Sequence, residues 1–209
     1  AEAPGDFETV GQAVGDVNTH FQLTGDRLDE VSTQFLKFAK VTGADVSSSV
    51  ESVAMSMKAF NVDSSETGNV LDHIASVSTA TGVSVDTLTN AVNTNGSTFR
   101  EMGLSLQDSV TLLGNFEAAG VPADQMLTGL KKAAANCSKE GTSLSDTLKQ
   151  LVTDLQDPAK QSDATAKAFD LFGSKAATSF IDAAESGRIN MVNLGGSLDD
   201  AAGFVDGLK

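Results

Sequence analysis

Glycines break this chain again and again, and between the breaks the apolar side chains return at steps of three and four. That spacing marks one face of an α-helix, and helices stopped after so few turns must pack their apolar faces against one another. The pattern is densest from Phe99 to Leu148. There, three short periodic segments are each opened by a capping residue and are separated by Gly103, Gly120 and Gly141. Glycine at a helix end fits the left-handed conformation that terminates it.

The same grammar runs along the whole chain. Phe7, Val10, Val14, Val17 and Phe21 lie on one helical face despite Gly11 and Gly15. Gly25 breaks the chain, and Asp26 is placed to cap a second helix whose stripe is Leu28, Val31, Phe35 and Phe38, up to Gly43. Asp45 opens a third with Val46, Val50, Val53, Met57 and Phe60. Asp63-Ser-Ser-Glu66 reads as a capping box ahead of Val70, Ile74, Val77 and Thr81, with Gly82 as the stop. Ser84 starts a shorter fifth helix through Leu88, Ala91 and Val92. Asn95-Gly96 is expected to interrupt it before a single turn over Thr98 to Met102.

Ser105 and Asp108 form a capping pair before Leu106, Val110, Leu113 and Phe116. Past Gly120, Pro122 suits a first helical position, and Met126, Leu130, Ala133 and Cys137 share the next stripe. Ser143 and Asp146 open Leu144, Leu148, Leu151 and Leu155, which Asp157-Pro158 closes. The spacing continues through Ala164, Ala168, Leu171 and Phe172, then Ala176, Phe180 and Ala184. Arg188 to Leu194 has no period and fits loop or strand, and Ser197 with Asp200 forms a last pair before Phe204 and Leu208. The expected fold is all-α: a compact bundle of short antiparallel helical hairpins with glycine turns and little or no strand. Punctuation divides it into an N-terminal helical part (1–102), central capped hairpins (103–158) and C-terminal helices (159–209). No fixed-period repeat is present. The start, AEAPGD, has no methionine and no signal-peptide pattern, so the expectation is one continuous helical fragment cut from a longer chain.

Composition narrows the function. The 209 residues carry a formal charge of −14, with no Lys/Arg cluster beyond Lys131-Lys132. Direct nucleic-acid binding needs a basic footprint, and anionic membrane surfaces need the same, so both are disfavoured. The apolar runs are too short to span a bilayer. Cys137, the one cysteine, leaves no internal disulfide and no multi-cysteine metal site.

Chemistry is sparse. His20 and His73 stand more than fifty residues apart without metal-ligand spacing, and read as helix residues. Cys137 shares a stripe with Met126 and Leu130 and reads as a packing residue. Acidic residues gather at helix starts (Asp26, Asp45, Asp63, Glu66, Asp86, Asp108, Asp124, Asp146, Asp163 and Asp200), where the macrodipole favours them by about 0.3–1 kcal/mol each. Asn93-Thr-Asn95-Gly96 has part of the look of a calcium loop, but Ala91 and Met102 occupy its end positions. Asn95-Gly-Ser97 and Asn136-Cys-Ser138 are formal glycosylation sequons without a secretory signal beside them. No dinucleotide, phosphate-loop or nucleophile-elbow motif occurs. The expectation is a protein that is not an enzyme, with no catalytic, cofactor-binding or metal residues.

From Gln12 to about Leu198 the chain resembles the core region of phage tail tape measure proteins. The stretches that carry the resemblance are AVGDVNTHFQLTGDRLDEVSTQFLKFAKVTG, MKAFNVDSSETGNVLD, TGVSVDTLTNAV, NTNGSTFREMGLSLQDSVTLLGNFEAAGVPADQMLTGLKKA and AKAFDLFGSKAATSFIDAAESG. The resemblance implies a structural virion component of a tailed phage or prophage. Such a protein occupies the tail lumen, sets tail length during assembly, and assists DNA delivery. It implies tail tube protein, tail assembly chaperones and tail-tip or baseplate proteins as partners, and the host bacterial cytoplasm as location before assembly. It transfers no catalytic residues. The alternative from the residues alone is a helical protein-interaction module, an adaptor or effector of a bacterial cell. A continuous helix of this length would reach roughly 300 Å; the caps and nineteen glycines favour hairpins instead.

Overall fold

A helix forms in this chain wherever its free terminal backbone groups find partners. In a computed structural model of the protein, which describes residues 7–191 and 194–208, all the regular structure is helical. The elements are α1 (Phe7–Phe21), α2 (Gly25–Thr42), α3 (Val46–Ala59), α4 (Thr67–Thr81), α5 (Val85–Glu101), α6 (Leu106–Ala118), α7 (Ala123–Glu140), α8 (Leu144–Leu155), α9 (Gln161–Phe172), α10 (Ser174–Glu185) and α11 (Phe204–Gly207). Short 3-10 turns occupy Ser64–Glu66 and Leu198–Ala201. The chain is all-α, as its periodicity requires. The opening AEAPGD and residues 192, 193 and 209 lie outside the described residues.

Several expected signals act as read. The Asp45 carboxylate accepts the Ser48 amide at 2.9 Å, Ser105 accepts the Asp108 amide at 3.0 Å, and Ser143 accepts that of Asp146 at 3.3 Å. At the other end of α2, Gly43 sits at φ 73° and returns its amide to the Ala39 carbonyl.

Other signals resolve differently. Asp26 does not cap α2: Gly25 is already its first residue, and Thr24 precedes it without a side-chain cap. Asp63 accepts the Ser65 amide at 2.8 Å and starts a 3-10 turn, while Glu66 accepts from Asn69 at 3.0 Å, so no reciprocal capping box forms there. Pro122 stands just before α7 instead of inside it. Ser197 and Asp200 do form a capping box, but it opens the second 3-10 turn. Asn95-Gly96 does not interrupt α5. The Asn95 amide donates to the Ala91 carbonyl at 2.9 Å within the helix, and a Cβ on Gly96 would meet the Phe60 ring at 3.3 Å. The glycine is a point of close approach, not a break. Residues 188–191 and Leu194 form no strand; Ile189, Met191 and Leu194 are buried in an irregular segment.

The elements gather into two compact units: residues 1–96 with 197–209, and residues 97–196. These are groupings in space, whereas the parts ending at 102 and 158 were stretches of chain marked by punctuation. In the first unit α1 packs on α2 and α3, and α2 packs on α4. Ala13, Val17, Phe35, Phe38, Val50 and Val53 are fully buried there, and the Phe21 and Phe35 rings lie 5.8 Å apart. Phe7, expected on this stripe, is 97 % exposed; Val17 of the same stripe is buried as expected, together with Ala13. In the second unit α9 packs on α7, α8 and α10. Phe180 lies 4.6 Å from Phe172 and 5.9 Å from Phe116, ring to ring, near the buried Leu148, Leu151 and Ala168 stripes.

Gly129 of α7 marks a close helix approach in that unit. A Cβ there would stand 2.9 Å from Ala176 Cβ and 3.2 Å from the Phe172 ring. Gly129→Val is expected to cost about 1–3 kcal/mol through overpacking. Gly11→Ala, on an open helix position with nothing within 4 Å, is expected to gain about 0.5–1 kcal/mol. Denaturant unfolding of the two variants checks both signs.

Candidate functional site

A buried carboxylate is costly unless something claims its oxygens, and two helical ones are buried here, Asp72 and Asp108. Asp72 lies in α4 between Leu71 and His73, within the first unit. Its two oxygens accept the backbone amides of Gly203 at 2.6 Å and Val205 at 2.8 Å. Asp108 lies in the first turn of α6, within the second unit. One of its oxygens accepts the Gly195 amide at 2.6 Å and the other the Ser145 hydroxyl at 2.9 Å. Asp72 thus caps the start of α11 from α4, and Asp108 holds the irregular backbone at Gly195. Asn115 repeats the device: its side-chain oxygen accepts the Asn190 amide at 2.6 Å. Arg188 donates to the Ala119 carbonyl at 2.6 Å and pairs with Asp182. Asp108 was legible only as a helix-start residue, and Asp72 gave no sequence signal beyond an acid placed in an apolar run.

The residues singled out for chemistry are dispersed. His20 is exposed in the last turn of α1, whereas His73 is buried in α4. Among the described residues no group of three or more His, Cys, Asp or Glu is placed to hold a metal ion. Cys137 is 2 % exposed on the inner stripe of α7, the packing position its spacing predicted. Asn93 is helical and bridges α5 to α3, accepting from Ser56 at 2.7 Å and donating to the Ser52 carbonyl at 3.1 Å. Asn136 donates to the Asp170 carbonyl at 3.2 Å.

Open clefts are present in both units. One in the first unit, about 570 Å³, runs between α3 and α5 and is polar: Ser48, Ser52, Thr89, Asn90 and Asn93 line it, with Glu51 and Asp86 at hand and Met55 half-exposed. One in the second, about 760 Å³, lies beside α7 among Thr98, Met102, Lys131, Ala134, Ser138 and Thr142.

Charge is the stronger asymmetry. By sequence the first unit holds 16 acidic and 5 basic residues, a net −11; the second holds 12 and 9, a net −3. The excess negative charge thus belongs to one unit. That partition was hidden in the sequence, because it depends on residues 197–209 rejoining the first unit. The Ser48 amide holds the Asp45 carboxyl below the ordinary carboxylate range, and the Ser65 amide does the same for Asp63. In the second unit Lys160 lowers Asp154 and is itself raised by that carboxylate. No helix among the described residues is long and apolar enough to cross a membrane.

Comparison with known proteins adds what the geometry leaves open. The family described as phage-related minor tail protein matches over residues 7–208. A curated tape measure protein of Pneumococcus phage Dp-1 is 28 % identical over 116 residues, which is 56 % of this chain and 10 % of that protein. The chain therefore matches only a small part of that relative's length. No solved structure matches.

Two outcomes follow from the polar contacts. Asp108→Ala removes two hydrogen bonds to a buried charge and is expected to cost about 2–3 kcal/mol in denaturant unfolding. Asp45→Ala removes a helix cap worth about 1 kcal/mol at neutral pH. The folded carboxyl of Asp45 is lower than the unfolded one, so this contribution is complete above about pH 4 and fades as pH falls through the folded value. Thermal melts of wild type and variant are expected to converge in strong acid.

Proposed function

The chain belongs to the phage-related minor tail protein family, and on that premise we propose that it is a folded segment of a tape measure protein. Membership gives it a structural role in a phage tail. The finer reading draws on the relative named as a tape measure protein, whose match lies within this segment's own helical sequence. In this reading the protein resides in the tail lumen after assembly in the host cytoplasm. It contacts tail tube, chaperone and tail-tip or baseplate proteins, and acts without catalysis.

The observation that bears most on mechanism is helix length. Among the described helices none exceeds 18 residues, about 27 Å of rise. Each apolar stripe is spent on packing against a neighbouring helix, so the segment holds its length in folded helices and not in one rod. Measuring then rests on other parts of the protein, or requires this part to unfold. The −11 charge of the first unit favours neutral or basic partner surfaces and disfavours the DNA that follows through the tube.

Mass spectrometry of purified phage particles is expected to find this chain in the tail; its absence from the particle sinks the virion reading. An in-frame deletion of residues 97–196 then tests the folded state. If the segment were a continuous helix in the tail, the tail would shorten by roughly 150 Å. Tails of unchanged length, seen by electron microscopy, are the expected result, and proportional shortening overturns the folded reading.

A further inference from the structure

Residues 197–208 come back to the first unit after the chain has passed through the second. This return carries the 3-10 turn and α11, which lie against α4 and α2. Its attachment is mainly polar. Val205 is its one buried side chain among the described residues, with Leu198, Ala201 and Phe204 half-buried and the rest largely exposed. The Asp72 carboxylate grips the Gly203 and Val205 amides, Asn69 donates to Asp199 at 2.9 Å, and Lys37 pairs with Asp206 at 2.8 Å in the open. An exposed pair of that kind contributes little.

We propose that residues 197–208 form a strap that opens and closes on the first unit while both cores remain folded. Three features carry this. The buried apolar stripes of α1 to α4 make up most of the first unit's core, to which the strap adds one buried side chain, Val205. Release also brings water to the Asp72 carboxylate, so the charge exchanges amides for solvent and is not left orphaned, the outcome that would make opening prohibitive. Finally, the movement has a defined root. Asp108 keeps the Gly195 amide, at φ +73°, anchored within the second unit, two residues ahead of the strap. Two buried carboxylates thus bracket the strap, one holding its root and the other its tip.

Opening changes the connectivity of the chain. Closed, the backbone passes between the units twice, at 96–97 and at 196–197. Open, the first unit keeps only the passage through α5, and the freed twelve residues can reach up to about 40 Å. The proposal stands on the contacts of the strap and does not depend on the tape measure reading.

Native-state hydrogen exchange on the full chain tests it. In wild type the Gly203 and Val205 amides are expected to exchange at least 100-fold faster than those of Ile74 and Leu148, through an opening that denaturant scarcely promotes. Asp72→Asn is expected to speed the two strap amides at least ten-fold while leaving Leu148 within two-fold. Strap amides that exchange with the same rate and the same denaturant dependence as Ile74 would show one cooperative unit and overturn the proposal. That wild-type comparison decides the matter even if the variant fails to fold.

Discussion

The described helices are short, and most are marginal on their own in water. Isolated helices of about 12–15 residues are marginal even with favourable sequences, and those described run from 4 to 18 residues. Each is therefore secured by the apolar stripe it buries against its neighbours. This dependence accounts for the small residues at the closest crossings. Gly129 lets α7 approach Ala176 and Phe172, and Gly96 lets α5 approach Phe60. It also accounts for the phenylalanines: with neither tryptophan nor tyrosine in the chain, Phe116, Phe172 and Phe180 supply the large apolar surface of the second unit.

Where the helices stop, the backbone needs other partners, because buried amides left unpaired are costly. Surface turns use short caps such as Asp45 and Ser143. In the chain after α10, Ser197 and Asp200 supply one local cap, and other amides are met from a distance by Asn115, Asp108 and Asp72. Three side chains far back in the sequence thus shape the last two dozen residues. The same acids that make the protein strongly negative are, at these two positions, structural acceptors with both oxygens occupied.

Fold class was legible because helical spacing and caps act over four residues, a range a single sequence displays. Asp45, Ser105 and Ser143 fulfil that local logic. Asn95-Gly96 misled because its meaning is set by the ring of Phe60, thirty-six residues earlier. Asp63 and Glu66 have the letters of a capping box, but Asn69 competes for the glutamate. Asp72 was illegible for the same reason in stronger form: its partners lie more than 130 residues on. The residues singled out for chemistry fared likewise. Local spacing correctly placed Cys137 on an inner stripe, whereas the concentration of charge in one unit depends on which distant segments come together.

The discontinuity of the first unit has a consequence for biosynthesis. Its helices α1 to α4 emerge from the ribosome early, yet the amides that Asp72 accepts belong to residues 203 and 205. At typical synthesis rates those donors arrive on the order of ten seconds later. The second unit is made wholly within that interval. A nascent first unit must therefore persist with Asp72 solvated and its strap site vacant while its neighbour folds, and residues made after the second unit complete the first.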